Sequence, residues 1–239
     1  MTVHYFNSGG LRTKLDDIRS GFNSLTIIPD IFAISESNLT QDIKDSDLGF
    51  CDFQVFRTDR SLMTSNKKEG GGVLICVKNN IPVTKISIDG DIIEQVFIKI
   101  SKFKLIIGLV YIPPYASANI YQHHVDSVIQ ISDNHPEYKL LLLGDYNIPK
   151  VIWSNEEDLS TTFLDKIQHK DMEHNLILKD NFSSLNLSQH FKVHAEKGYT
   201  LDLCFSDVKN INVSNGIDCL LDLDRHHDYV ELNVSLNLN

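Results

Sequence analysis

Apolar positions in this chain fall in short runs divided by polar turns, and their period alternates between that of strands and that of helices. Residues 26–28, 31–35, 53–57, 72–77, 94–100, 105–112, 140–143, 200–205 and 229–236 read as strands. Within 95–100, Gln-Val-Phe-Ile-Lys-Ile alternates cleanly, as in a sheet with one wetter face. Residues 11–23, 118–134 and 161–184 read as helices, the third breaking into a helix and a short second piece. Lys67-Lys-Glu-Gly-Gly-Gly72 reads as a mobile turn leading into a strand. No low-complexity tract, short repeat or interdomain linker interrupts the order. Strands and helices interspersed in this way predict an α/β fold in a single domain over residues 1–239.

Polar residues that close or interrupt the apolar runs are the candidates for chemistry. Leu140-Leu-Leu-Leu-Gly-Asp145-Tyr-Asn147 predicts a buried strand, a sharp turn at Gly144, and a carboxylate and carboxamide on one side of an extended backbone. Asp145 is a hard oxygen donor suited to Mg²⁺, and Asn147 can meet a phosphate oxygen. Read alone, the segment fits a polar β-turn equally well. Asn7 follows the run Val3-His-Tyr-Phe, Glu36 ends Ile31-Phe-Ala-Ile-Ser, Tyr111 lies in Leu109-Val-Tyr-Ile, and His227 opens the final strand. Each has a structural explanation as well: a turn cap, a solvated carboxylate, a core aromatic. Asp202, flanked by Leu201, Leu203 and Phe205, needs a partner if buried, and a histidine is the obvious one.

Composition narrows the classes. The chain has 239 residues, 42% hydrophobic and 23% charged, enough for a substantial core. No apolar run is long enough to span a bilayer, and no secretory signal is visible at the N-terminus, so a nuclear or cytoplasmic protein is expected. Four scattered cysteines without C-x-x-C spacing read as reduced structural thiols, not a zinc site. The net charge of −10 argues against tight, nonspecific DNA binding. A local patch of Arg57, Arg60, Lys67 and Lys68 reads either as phosphate-contacting or as solvated loop charge. The adjacent His123 and His124 fall in a predicted helix and would not share a metal.

Taken in order, these segments resemble the endonuclease domain of non-LTR (LINE-type) retrotransposons, of the endonuclease–exonuclease–phosphatase (DNase-I-like) superfamily. The resemblance is carried by Asn7-x-x-Gly10-Leu11-x-x-Lys14, Ile34-Ser-Glu36-Ser-Asn-Leu39, Phe56-Arg-Thr-Asp-Arg60 and Gly70-Gly-Gly-Val-Leu-Ile75. It continues through Val110-Tyr-Ile-Pro-Pro114, Gly144-Asp-Tyr-Asn-Ile-Pro149 with Trp153, Thr200-Leu-Asp-Leu203 and His227-x-x-Val230. It implies a four-layer α/β sandwich, two packed mixed β-sheets flanked by helices, with the site at one edge.

The resemblance also implies roles. Glu36 would bind Mg²⁺, or Mn²⁺ in its place, with Asn7 in support; Asp145 would orient or deprotonate the attacking water. Asn147 and Tyr111 would hold the phosphate, and His227, fixed by Asp202, would contact it or assist the water. Thr200 joins the basic residues as a substrate contact. The expected activity is nicking of target DNA for target-primed reverse transcription, by a monomeric domain fused to a reverse transcriptase. The alternatives are the same chemistry on RNA or a small phosphate ester, and a catalytically degenerate DNA- or protein-binding module. Three departures bear on this. His226 stands where the family carries an aspartate, which makes Asp224, in an Asp-x-x-His arrangement with His227, a substitute to consider. Asn38 replaces a common aromatic, and His194-Ala195 lies near the usual Pro-Thr.

Overall fold

The computed structural model describes residues 1–24, 28–65, 67, 69–154, 159–164, 167–192, 198–216 and 227–236. The first sheet contains β1 (Thr2–Asn7), β2 (Ile31–Ser35), β3 (Phe53–Thr58), β4 (Val73–Lys78), β13 (Ile211–Asn215) and β14 (Val230–Val234), in the order β13-β14-β1-β2-β4-β3. The second contains β5 (Thr84–Ile86), β6 (Glu94–Ile100), β7 (Leu105–Tyr111), β8 (Lys139–Asp145), β11 (Ser188–Gln189) and β12 (Asp202–Ser206), in the order β11-β12-β8-β7-β6-β5. Both sheets are mixed: β1 and β2 are parallel, as are β7 and β8, and the other pairings are antiparallel. A small ribbon of β9 (Val151–Trp153) and β10 (Thr161–Phe163) stands apart from the two sheets.

Strand periodicity sorts the apolar side chains into three cores. Odd-numbered Val3, Tyr5, Ile31, Ala33, Val73 and Ile75 of the first sheet meet Leu105, Ile107, Leu109, Leu141 and Leu143 of the second, with Cys204. Alternate residues point to opposite faces, so the even-numbered Phe6, Phe32, Ile34 and Leu74 face the other way, against Leu11 and Ile18 of α1 (Leu11–Ser24). On the far face of the second sheet, Ile106, Val110, Leu140 and Leu142 pack on α2 (Ala118–Asn134) and α3 (His169–Ser184) through Tyr121, Val125, Leu178 and Phe182. The order is helix, sheet, sheet, helices: the α/β sandwich expected. In α2 the adjacent histidines diverge. His124 is buried against Gln95 and Tyr146, and burial lowers its pKa to about 3, whereas His123 faces Asp91 at 3.5 Å.

Several expected elements shift. The strand β1 occupies a run that the sequence pattern presents only as an apolar lead-in to Asn7. The stretch 161–184 opens as a strand, because Thr161-Thr-Phe163 is β-branched and aromatic, and its helix starts at His169. Of the expected strand 26–28, residues 26 and 27 lie outside the described residues, and Ile28 is in neither a helix nor a strand. The turn Gly70–Gly72 is tied down: Gly70 N–H donates to Asn38 Oδ1 and Gly72 N–H to Glu94 Oε2, and Asn38 N–H donates to the Gly71 carbonyl. A Cβ at Gly71 (φ +67°) would sit 2.1 Å from Glu94 Oε2. Cys76 and Cys204 are buried free thiols and Cys51 an exposed one; Cys219 lies outside the described residues. Among the described residues, no helix is long and apolar enough to cross a membrane.

Gly144 is needed for close approach. A Cβ there would lie 2.2 Å from the Val110 carbonyl oxygen of the neighbouring strand, which is backbone and cannot swing aside. Gly144→Ala is expected to cost roughly 1–3 kcal/mol of stability through overpacking, measured by urea denaturation.

Candidate active site

The face that buries the odd-numbered core residues also carries the polar ones. Asn7 ends β1, Tyr111 ends β7, Asp145 ends β8 and Asp202 begins β12, each two residues from a buried member of the inter-sheet core. Pairing sets Asn7 beside Ser35, Tyr111 beside Asp145, and Asp145 opposite Asp202. Glu36 follows β2 in a left-handed conformation (φ +51°), and His227 lies three residues ahead of β14. Separate strand ends thus converge on one edge of the sandwich.

Asn7 Nδ2 donates to Glu36 Oε1 at 3.0 Å and to Asp145 Oδ2 at 3.1 Å, while its Oδ1 accepts from Gly9 N–H. The same Nδ2 is 3.3 Å from His227 Nε2, which can accept when unprotonated. His227 Nδ1 is 2.7 Å from Asp202 Oδ2, and its Nε2 lies 3.9 Å from Asp145 Oδ2. A carboxylate bonded to Nδ1–H fixes the tautomer and turns Nε2 toward the cluster. Asp202 is itself fixed from below: Tyr5, wholly buried, donates to Asp202 Oδ1 at 2.5 Å and lies 2.9 Å from Ser35 Oγ. Glu36, Asp145 and His227 each offer a ligand atom, all within 4.8 Å of one another.

Burial dominates the electrostatics. It raises the Asp145 carboxyl well above its usual range, Asp202 and Glu36 raise it further, and His227 and the Asn147 N–H oppose them. Burial alone would lower His227, but Asp202, Asp145 and Glu36 outweigh it and bring the imidazole to about 9. Tyr5 is raised by burial and then by Asp202 and Asp145, so it remains a phenol and a donor. Three carboxylates this close, with one imidazole between them, form a site whose negative charge is incompletely balanced. A divalent cation fits the two carboxylates, Glu36 and Asp145, which offer at one spot the oxygen donors that Mg²⁺ and Mn²⁺ favour.

Asn147 is not in the extended geometry expected of it. The strand β8 stops at Asp145, Tyr146 turns its ring into the helix-side core, and Asn147 takes φ +49°. Its side chain donates to the Ile112 carbonyl at 2.9 Å and its N–H donates to Asp145 Oδ1 at 3.1 Å, so it braces the loop beside the cluster. Thr200 Oγ1 donates to the Asp202 carbonyl at 2.9 Å. Arg57 and Arg60 are occupied in ion pairs. Arg57 faces Asp45 at 3.2 Å and Asp59 at 3.5 Å, whereas Arg60 Nε bonds Glu94 Oε1 at 2.7 Å with both side chains buried. Removing one partner of a buried pair strands the other charge, so Arg60→Ala is expected to cost about 3–5 kcal/mol by urea denaturation. Lys67 lies over the Tyr115 ring at 4.4 Å; Lys68, His194, Ala195, Asp224 and His226 lie outside the described residues. Tyr5 and Ser35 were not singled out in the sequence. The available signal was a hydroxyl on the inward face of an apolar strand, which needs a partner once buried.

No family model matches the chain, and no curated protein matches it in sequence. Solved structures do match it closely in shape. A 3'-5' exonuclease, NExo, from Neisseria meningitidis superposes with a TM-score of 0.64 at 17% identity, covering 98% of this chain and 99% of its own. The endonuclease domain of TRAS1, a telomere-specific non-LTR retrotransposon, gives 0.61 at 13% identity, covering 98% of each chain. AP endonuclease LMAP from Leishmania major gives 0.67 at 13% identity, covering 97% of this chain and 86% of its own. With two packed six-stranded mixed sheets and flanking helices, the chain shares the DNase-I-like α/β-sandwich fold of these structures.

Proposed function

We propose that this protein is a divalent-metal-dependent endonuclease that hydrolyses a DNA phosphodiester. The observation that carries the reading is the single amide of Asn7 bridging Glu36 and Asp145, with the Asp202–His227 pair alongside. Glu36 and Asp145 would hold Mg²⁺ or Mn²⁺, and Asn7 orients both carboxylates by donating to them. A bound ion supplies Lewis-acid stabilisation of charge on the phosphate oxygens.

Asp145, whose Oδ2 faces Asn7 and His227, would orient the attacking water or take its proton. His227, its Nδ1 held by Asp202, would present Nε2 to the phosphate or to the attacking water. Tyr111, at the end of β7 beside Asp145, would position the phosphate, while Asn147 braces the adjoining loop. The order of sequence motifs and the likeness to the TRAS1 endonuclease domain support a role in retrotransposition, with target DNA as partner and a reverse transcriptase joined to the domain in the full-length protein.

The net charge of −10 favours a second reading, in which the same groups act on RNA or a small phosphate ester. A panel of supercoiled plasmid, RNA oligonucleotide and small phosphate ester separates them. The first reading expects Mg²⁺-dependent conversion of plasmid to open circle that a chelator abolishes; cleavage confined to RNA or the small ester contradicts it.

A further inference from the structure

The strands that carry the cluster at one end have another end, and it is built differently. Tyr111, Asp145 and Asp202 stand at the cluster; Leu105, Lys139 and Ser206 stand at the opposite ends of the same three strands. The seven residues of β7 separate the two edges of the sandwich by roughly 20 Å. At the far edge lies a groove of about 590 Å³, within the range of ligand sites, and none of the roles above uses it.

The charge of this groove is opposite in sign to that of the chain. The whole sequence has 22 basic and 32 acidic residues, yet four lysines and two carboxylates line the groove, a net of +2. The lysines come from separate segments: Lys102 and Lys104 from the turn between β6 and β7, Lys139 from the start of β8, and Lys209 from the stretch after β12. Of the carboxylates, Asp207 is occupied within the fold, accepting the Leu140 N–H at 2.8 Å and Lys139 Nζ at 3.0 Å; Glu137 is the other. Lys102, Lys104 and Lys209 are exposed, and no ion pair among the described residues engages them. Lys104 is also held in place by a strained backbone. It closes the 3₁₀ turn Ser101–Phe103 at φ +45°, a conformation natural to glycine, while its carbonyl accepts the Lys139 N–H at 2.8 Å. The rest of the lining is apolar: Phe103, Val208 and Leu236, all packed on the inter-sheet core, with Lys102 Nζ 5.4 Å from the Phe103 ring centre.

We propose that this groove is a second, non-catalytic site for a phosphate monoester bearing a flat apolar group, the chemistry of a nucleoside monophosphate. A phosphate monoester carries about −1.5 to −2 near neutral pH, which balances the charge of the groove. Lysine ammonium groups are compact point charges with rotatable donors, and they meet a phosphate without demanding one orientation. The apolar lining takes the flat group, and the volume exceeds what an inorganic anion fills. Such a ligand comes free in solution or as the 5′-phosphate end of a nucleic-acid strand. Because the groove lies at the far edge, it fills independently of the cluster and stands whether or not the cluster cuts DNA.

The test titrates the whole chain, in EDTA, with AMP, adenosine and inorganic phosphate by calorimetry. AMP is expected to bind once per chain, and adenosine and inorganic phosphate each at least about tenfold more weakly, since each offers half of the contacts. Lys104→Gln/Lys209→Gln is expected to lose about tenfold in affinity for AMP. Lys104→Gly relieves the left-handed turn, so it is expected to unfold at the same temperature or higher while also binding AMP more weakly. Hydrogen exchange is expected to slow, with AMP bound, at the amides of 101–104 and 207–210 and not at those of 145–147. A trinucleotide with and without a 5′-phosphate separates the sources. Binding that depends on its phosphate identifies a strand end, and weak binding of both forms beside tight AMP identifies the free nucleotide. No binding of AMP, inorganic phosphate binding as tightly as AMP, unchanged affinity in both lysine variants, or protection confined to 145–147 would overturn the proposal.

Discussion

Asp145→Asn is expected to slow phosphodiester cleavage by roughly 10³-fold while leaving the fold intact. The side chain is almost wholly buried, and three groups converge on it: the Asn147 N–H, the Asn7 amide and the His227 imidazole. The substitution keeps the shape and removes the charge, so it deletes a metal ligand and a proton acceptor together. A second readout follows from linkage, because an ion that binds only the folded protein raises its stability in proportion to RT ln(1 + [L]/Kd). Mn²⁺ is expected to raise the Tm of the wild type and to leave that of Asp145→Asn nearly unchanged. In metal-free buffer at neutral pH the variant should be the more stable of the two. A carboxyl whose pKa is raised on folding opposes folding once the unfolded chain has ionised, and the asparagine escapes that penalty. This advantage should vanish as pH falls below the ordinary carboxylate range, where both states of the wild type are protonated.

The second large effect concerns a pair. Asp202 contacts the Tyr5 hydroxyl and the His227 ring, and its influence on the reaction runs through the orientation it imposes on that ring. His227→Ala and Asp202→Asn are each expected to reduce kcat by about 10²–10⁴-fold. The double variant is expected to be no slower than the worse single one, because groups that act as a unit are lost only once. Multiplicative losses in kcat would show that Asp202 acts on its own account, for example as a separate metal ligand.

The site was legible in the sequence where local pattern and chemistry agree. Asp145, Asn7, Glu36 and His227 stand at the ends of apolar runs, and a strand end on the inner face leaves a polar side chain no other direction than the sandwich edge. Tyr5 escaped notice because an inward tyrosine in an apolar strand looks like core until its partner is placed, and that partner is 197 residues away. Arg60 shows the same limit: a loop arginine suggests phosphate, yet Glu94, 34 residues on, reaches it from the other sheet. Extended backbone past Asp145 would put Asn147 on the same side, whereas Tyr146 is buried and Asn147 turns to φ +49°. The strand at 161–163 falls inside a helical pattern because the strand it pairs with, Val151–Trp153, is equally short. Local period settles long elements; short ones depend on what pairs with them.

The most direct measurement is nicking of supercoiled plasmid by wild type and Asp145→Asn at matched concentration, each with Mg²⁺ and with EDTA, after both have been shown to unfold cooperatively. The expected result is open circle from the wild type with Mg²⁺ alone, and a loss of roughly 10³-fold in the variant. Equal nicking by the two proteins, or nicking that survives EDTA, would contradict the assignment of the Glu36–Asp145–His227 cluster as a metal-dependent hydrolytic site.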